Sequence, residues 1–134
     1  MITEIQASFD SQIQTVWNGA IAFDNVQFQA EAATPYLDVS MAAQDQLVAG
    51  VGPGTYIRWS GIYTIVIYRP FGEGVQEALN WAQTIRAAYP RGSQFPVSPN
   101  GAIVLKTVIE KATISGSFCS VPVMVYWFAT EVPS

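Results

Sequence analysis

The side chains of this sequence that could carry acid–base chemistry are carboxylates, because the chain contains no histidine. The commonest general base and the commonest metal ligand are therefore both missing. A catalytic mechanism would need a carboxylate pair, drawn from Asp24, Asp38, Asp45, Glu73 and Glu77. Their spacing requires no such pair and lacks the dense acidic loop of a carboxylate metal site. We interpret them as solvated surface charges and predict no catalytic residue, no metal site and no cofactor.

A glycine-rich segment at residues 72–77 lies between a predicted strand and a predicted helix. This is the position of the glycine-rich motif in dinucleotide-binding folds. Its last position carries Glu77 instead of the required small residue. Glu73 and Glu77 would also repel a pyrophosphate at the helix N-terminus. The segment therefore indicates a turn that starts a helix, and nucleotide binding is not predicted.

The remaining reactive or aromatic side chains are interpreted as packing residues. Cys119 is the single cysteine, and no histidine is available to serve as its base. The tryptophans fall on four different segments, so core or interface packing explains them better than a stacking platform for sugars or bases; they are Trp17, Trp59, Trp81 and Trp127. The six basic residues are scattered and form no stripe of the kind that binds nucleic acid.

Length and composition describe a small, apolar, acidic chain. Its 134 residues fit one domain spanning residues 1–134. Half of the residues are hydrophobic and 12% are charged, which excludes disorder for most of the length. A net charge of −4 argues against a dedicated phosphate-binding surface. No apolar stretch approaches the ~20 residues of a spanning helix, so we expect neither a membrane segment nor a secretory leader.

The order of periodic segments predicts an α+β fold, with a mostly antiparallel sheet and two helices packed on one face. The first helix carries an apolar stripe from Ile2 to Val16, and the second runs from Val75 to Pro90. Glycine and proline at residues 50–54 give the strongest loop signal. The strands on either side of it are expected to form a hairpin. Extended segments are predicted at residues 21–28, 36–41, 55–68, 102–109 and 118–130.

Two predicted strands are apolar on both faces. In residues 62–68 one alternating set holds Tyr63, Ile65 and Ile67, and the opposite set holds Ile62, Val66 and Tyr68. Residues 118–128 repeat this pattern, whereas a half-solvated antiparallel sheet alternates apolar with polar side chains. Either the sheet curls to shelter its second face, or another subunit covers it. Self-association is the prediction that we draw from this pattern.

Three ordered blocks, which together span most of the chain, carry a family resemblance. The first is FDNVQF at residues 23–28 with PYLDV at 35–39. The second is GIYTIVIYRP at 61–70 with GEG at 72–74, leading into the helix of residues 78–82. The third is SGSF at 115–118 with VPVMVYW at 121–127. This ordered set resembles the tail terminator, or tail completion, proteins of long-tailed bacteriophages.

The resemblance implies a structural protein and no enzyme. Members of that family form a hexameric ring that caps the finished tail tube, stops its growth and offers the surface on which the head docks. The implied partners are further copies of the chain, the tail tube protein and the head–tail connector protein. DNA would pass through the ring without specific binding. The implied location is the head-proximal end of the virion tail, reached from the host cytoplasm during assembly.

Size and charge are compatible with such a ring. A globular protein of this length has a diameter of roughly 36 Å. Six such globules that touch in a circle enclose a central hole about as wide as one globule, which is enough for duplex DNA. Six chains of net charge −4 carry a total charge of −24. A negatively charged channel would let DNA pass through the ring without binding to it. We nominate Glu31, Asp38 and Asp45 as lumen-lining acids; a lumen of Arg58, Arg69 and Lys106 would contradict this. As assembly residues we nominate the glycine loop with two neighbours, namely Gly50, Val51, Gly52, Pro53, Gly54, Arg58 and Trp59.

Two other classes of protein stay open at this point. Another head–tail joining or tail tube ring protein would share the composition, and the end of the tail that carries the protein separates it from a terminator. A small carboxylate-dependent enzyme or ligand-binding domain is the second alternative. A monomer with a deep pocket of convergent carboxylates would favour it.

Overall fold

The computed structural model describes residues 2–23, 35–48, 56–70, 76–96, 101–115 and 118–131. Within those ranges the chain forms two helices and seven strands in the order α1, β1, β2, β3, α2, β4, β5, β6, β7. The helices are α1 (Ile2–Val16) and α2 (Gln76–Ala88). The strands are β1 (Ala20–Ala22), β2 (Tyr36–Val48), β3 (Tyr56–Pro70), β4 (Gln94–Phe95), β5 (Ala102–Ile109), β6 (Thr113–Ser115) and β7 (Phe118–Glu131). The predicted α+β class is confirmed. A single domain over residues 1–134 stays a prediction.

The strands form one curled sheet in the order β1-β2-β3-β7-β5-β4, with β6 paired to β7. All described pairs are antiparallel except β1 with β2, which is parallel. The predicted hairpin is confirmed, and its register runs from Tyr36 opposite Tyr68 to Val48 opposite Tyr56. Strand β2 is longer than the predicted 36–41, because residues 42–48 pair with the first half of β3 although they lack apolar alternation. The loop of Gly50 to Gly54 lies outside the described residues.

The second half of the chain places β7 at the centre of the sheet. It pairs with β3 on one side and with β5 and β6 on the other. The pairing of β5 with β7 shifts between Val104 and Lys106, where a bulge interrupts the edge. Strands β4 and β6 were not predicted; they have two and three residues, too few to leave a periodic signal.

The core lies between one face of the sheet and both helices. Strand β3 contributes Tyr63, Ile65 and Ile67, which are the inward set of the predicted alternation. The other large contributors are fully or almost fully buried: Ile5, Phe9 and Ile13 of α1, Ala78, Ala82 and Ile85 of α2, and Val121, Val123, Val125 and Trp127 of β7. The prediction that two helices cover one face is therefore confirmed.

Buried hydrogen bonds fix the helices to each other and to the sheet. The Tyr89 hydroxyl donates to the Phe9 carbonyl oxygen at 2.8 Å. The Thr107 hydroxyl of β5 donates to the Tyr89 carbonyl oxygen at 2.8 Å, and Gln12 Nε2 donates to the Ala88 carbonyl oxygen at 2.9 Å. The last two bonds satisfy carbonyl groups at and just after the C-terminus of α2, which have no partner within the helix.

An arginine inside the seam between helix and sheet shows that one acidic residue is not merely a solvated charge. Arg69 is 6% exposed, and its Nη1 lies 2.6 Å from Glu77 Oε2. Its guanidinium carbon is 5.2 Å from the centre of the Trp81 ring, which in turn contacts Trp17 edge-on at 5.1 Å. The Glu77 side chain is 55% exposed, as expected of a surface charge, and in addition it neutralises a buried cation.

Candidate assembly surface

The sheet face opposite the helices is the surface of interest, and we call it the outer face. Both described helices lie on the other side of the sheet, so no described helix packs on it. Most of its side chains on β3, β7 and β5 are apolar and are half-buried by their cross-strand neighbours. They include Ile62, Thr64, Val66, Pro122, Met124, Tyr126, Phe128, Ile103 and Val108.

Strand register divides the outer face into an apolar part and a polar margin. One cross-strand row runs through Ser40, Thr64, Met124 and Val108. In this row the β2 residue is exposed and polar, whereas the residues on β7 and β5 are apolar and half-buried. Asp38 and Gln44 of β2 are exposed as well. The outer face therefore changes from polar on β2 to apolar on β3, β7 and β5.

Two cations lie over aromatic rings of the outer face. The Arg58 guanidinium carbon is 4.6 Å from the centre of the Phe128 ring, and Lys106 Nζ is 4.7 Å from that of Tyr126. Such contacts are favourable and leave the charged heads accessible. At the opposite end Tyr36 and Tyr68 stack at 4.8 Å. Their pKa values are raised, chiefly by burial, with Asp38 adding to the effect.

A depression of about 420 Å³ lies in the outer face. Its lining includes Ala42, Ser60, Ile62 and Tyr126. Leu105 closes one side; it lies in the β5 bulge and is 45% exposed, unusual for a large aliphatic residue. No carboxylate lines this depression among the described residues.

Beside that depression lies a basic cleft of about 280 Å³. It is formed by Arg86 in the last turn of α2, Arg91 in the following turn, and Lys106 and Leu105 on β5. The cleft was not predicted, because Lys106 is distant along the chain from Arg86 and Arg91 and meets them only in the fold. The one available signal was the placement of Arg86 and Arg91 on either side of Pro90.

The nominated assembly residues Arg58 and Trp59 lie on opposite faces of the sheet. Arg58 is exposed on the outer face, whereas the half-buried Trp59 packs against the core. Their alternation follows from the two-residue period of a strand. Gly50, Val51, Gly52, Pro53 and Gly54 lie outside the described residues.

Of the nominated lumen acids, Asp38 is exposed at the polar margin of the outer face. Asp45 lies on β2 opposite Trp59, and Glu31 lies outside the described residues. Of the rival basic set, Arg69 is buried in the helix–sheet seam and cannot line a channel in this fold. Arg58 and Lys106 are exposed.

The described part of the chain contains no group of three His, Cys, Asp or Glu side chains placed to hold a metal ion. None of its helices is long and apolar enough to cross a membrane.

Fold and surface together define an α+β module whose sheet has one mostly apolar face on which no described helix packs. The chain matches the family model described as phage tail terminator protein over residues 4–127, and it belongs to that family. Family membership confirms the resemblance of the sequence blocks. It assigns the protein a structural role in the phage tail, in association with other tail and head components.

Comparison with solved structures supports the fold. One solved protein, whose name carries no functional description, superposes on the whole chain with a TM-score of 0.72, and 96% of that protein is covered. The two sequences are 17% identical, so the likeness concerns the fold alone. No curated protein matches the chain.

Proposed function

We propose that this protein acts as a homohexameric ring that caps the tail tube, ends its elongation and provides the surface on which the head docks. The observation that carries the proposal is the apolar outer face, on which no described helix packs. A mostly apolar patch that extends across three strands is unusual on a protein that functions alone. Full burial of one exposed side chain of this kind is worth roughly 1.5–3 kcal/mol. These side chains are already half-buried, so each would add a fraction of that value, and covering several of them would stabilise a ring.

The division of the outer face suggests how a neighbouring copy would sit. It would cover the apolar part on β3, β7 and β5 and leave the polar margin on β2 in water. Arg58, stacked on Phe128, would lie at the rim of that contact. The loop of Gly50 to Gly54 and Trp59 remain our other nominated assembly residues.

The polar margin is our candidate for the lining of the channel. Asp38 is exposed there, whereas Asp45, the second nominated acid on β2, lies at a register position of the opposite face, across from Trp59. Together with Glu31, these acids would repel the phosphate backbone, and DNA would pass without binding. Asp38→Lys should therefore slow DNA delivery, measured as the rate of genome release, while electron microscopy still shows capped tails, because substitutions at exposed positions usually change stability little.

The partners in this account are the tail tube protein on one side of the ring and the head–tail connector protein on the other. Assembly would take place in the host cytoplasm, and the finished ring would occupy the head-proximal end of the tail. An enzyme or ligand-binding domain gains no support, because carboxylates do not converge on the outer-face depression in the described part of the chain.

The experiment that tests this function is complementation of a phage that lacks the gene. Electron microscopy of such lysates should show tails of uncontrolled length without heads. Supply of the wild-type protein should restore tails of uniform length that carry heads. Normal tail length in the absence of the protein would contradict the proposal and would favour another joining protein.

A further inference from the structure

The basic cleft of Arg86, Arg91 and Lys106 concentrates positive charge in an acidic protein. The chain has six basic and ten acidic residues, and three of the six basic residues line this one cleft. The remainder of the chain then carries three basic and ten acidic residues, a balance of −7. A cleft of opposite sign to nearly all of the remaining surface is suited to receive that surface on another molecule.

The three cations are available for an external partner. All three side chains are exposed, and none forms an ion pair with a carboxylate among the described residues. Lys106 Nζ lies over the Tyr126 ring at 4.7 Å, and because the side chain is exposed, the ammonium group can bind an anion on the side away from the ring. Arg86 also suits the C-terminus of α2 through the helix dipole, but Arg91 and Lys106 have no such local role.

The cleft is continuous with the apolar outer face. Leu105 lines both the basic cleft and the outer-face depression, and Lys106 lines the cleft while stacking on Tyr126 of the outer face. The exposed Leu105 side chain therefore lies between an apolar surface and a cationic one. This combination, an apolar anchor beside charged groups, is the usual anatomy of a protein–protein contact.

We propose that the basic cleft binds a carboxylate-bearing segment of a second copy of this chain, with Leu105 as the apolar anchor beside it. The inference rests on the proposed ring and specifies one of its contacts. The second copy is the chosen occupant because it supplies the complementary charge, and because the cleft adjoins the face that the ring would cover. Duplex DNA and the tail tube protein are other anions or partners that the test must separate.

The test compares two charge reversals that alter net charge equally. Arg91→Glu changes the cleft, whereas Lys111→Glu changes an exposed cation outside the cleft lining. Arg91→Lys serves as the conservative variant. Self-association is measured by sedimentation and native mass spectrometry at low and high salt, and occupancy of purified tail ends is counted by electron microscopy. Thermal unfolding checks that each variant folds.

The expected result is that Arg91→Glu weakens self-association at low salt by roughly tenfold or more, since like charges then face each other. Lys111→Glu should behave like the wild type, and Arg91→Lys should retain most of the association. High salt should reduce the difference between wild type and Arg91→Glu, because it screens the contact.

Three outcomes would overturn the inference. If Arg91→Glu and Lys111→Glu associate equally well, the cleft does not contact a second copy, although the ring stands. If Arg91→Glu forms normal rings but no longer occupies tail ends, or if the wild type binds duplex DNA through Arg91, the occupant is a different molecule. If the wild type neither associates nor occupies tail ends, the proposed function fails together with the inference.

Discussion

Gly61 of β3 lies directly opposite Trp127 of β7, and the indole ring occupies the space that a side chain at position 61 would need. A Cβ atom there would lie 2.6 Å from Trp127 Cζ2 and 2.5 Å from the carbonyl oxygen of Ala42. Trp127 is 1% exposed and packs in the core, so its ring can move aside only by disturbing the residues around it. The glycine thus allows the largest buried side chain of the central strand to pack.

Gly61→Ala should consequently lower the free energy of unfolding by about 3 kcal/mol, the upper range for overpacking a tight core. Chemical denaturation would measure the change. Ser60→Ala, at the neighbouring position on the outer face, should stay within about 0.5 kcal/mol of the wild type. If Gly61→Ala and Ser60→Ala were equally stable, β3 and its neighbouring strands would be able to move apart enough to accommodate a Cβ atom at position 61.

Tyr89 couples stability to alkaline pH. Burial, together with the charge of Asp10, raises its pKa far above its ordinary value near 10. The folded protein therefore keeps this proton when the unfolded chain loses it, so stability should fall as pH rises above about 10. Tyr89→Phe should lose about 1 kcal/mol at pH 7, since its bond to Phe9 disappears.

Denaturant titrations at pH 7, 9 and 11 would measure both effects. Tyr89→Phe should show a shallower decline of stability with pH than the wild type. Tyr36 and Tyr68 also have raised pKa values, so part of the decline should remain. An unchanged slope in Tyr89→Phe would mean that this hydroxyl is not buried in solution.

Arg58 and Trp59 are adjacent in sequence but should respond differently to truncation. Trp59→Ala removes a half-buried ring from the core side and should lower stability by about 2 kcal/mol. Arg58→Ala removes an exposed cation from the outer face and should change stability by less than about 1 kcal/mol. Thermal unfolding of both variants measures this difference. If Arg58→Ala were destabilised and Trp59→Ala were as stable as the wild type, Arg58 and not Trp59 would lie on the core side of the sheet.

Met124 and Ser40 share one cross-strand row of the outer face and provide a matched pair. Met124→Glu places a charge in the apolar part, and Ser40→Glu places the same charge at the polar margin. Because an unpaired charge is costly to bury, Met124→Glu should abolish ring formation and tail capping while the chain still folds. Ser40→Glu should assemble normally.

Native mass spectrometry and counts of capped tails would measure this difference. Circular dichroism and thermal unfolding should confirm that both variants are folded. Assembly of Met124→Glu at the wild-type level would mean that the apolar part of the outer face stays in water.

The sequence predicted the fold to the extent that local periodicity determines it. The apolar stripes of α1 and α2 and the alternation of Tyr63, Ile65 and Ile67 gave the helices, the hairpin and the buried face. The last half of β2 was missed because residues 42–48 follow no apolar alternation and are extended by pairing with β3. The parallel pairing of β1 depends on contacts between distant segments, which local propensity does not encode.

The candidate surface was predictable only in outline. Strands with apolar residues at both alternating sets of positions indicated that the second face of the sheet is apolar as well, since this alternation can be read along the chain. The basic cleft could not be found in this way, because Arg86, Arg91 and Lys106 come from a helix, a turn and a bulged strand. The ion pair of Arg69 with Glu77 was likewise invisible, since it depends on how α2 packs on β3.

The most direct test of the central claim, that the outer face is covered in the assembled tail, is oxidative footprinting of methionines. Met124 lies in the apolar part of the outer face, whereas Met41 contacts the indole nitrogen of Trp127 and serves as an internal reference. We predict that Met124 is oxidised in dilute free protein and protected in tail-bound protein, while Met41 changes little. Equal oxidation of Met124 in the two states would contradict the account.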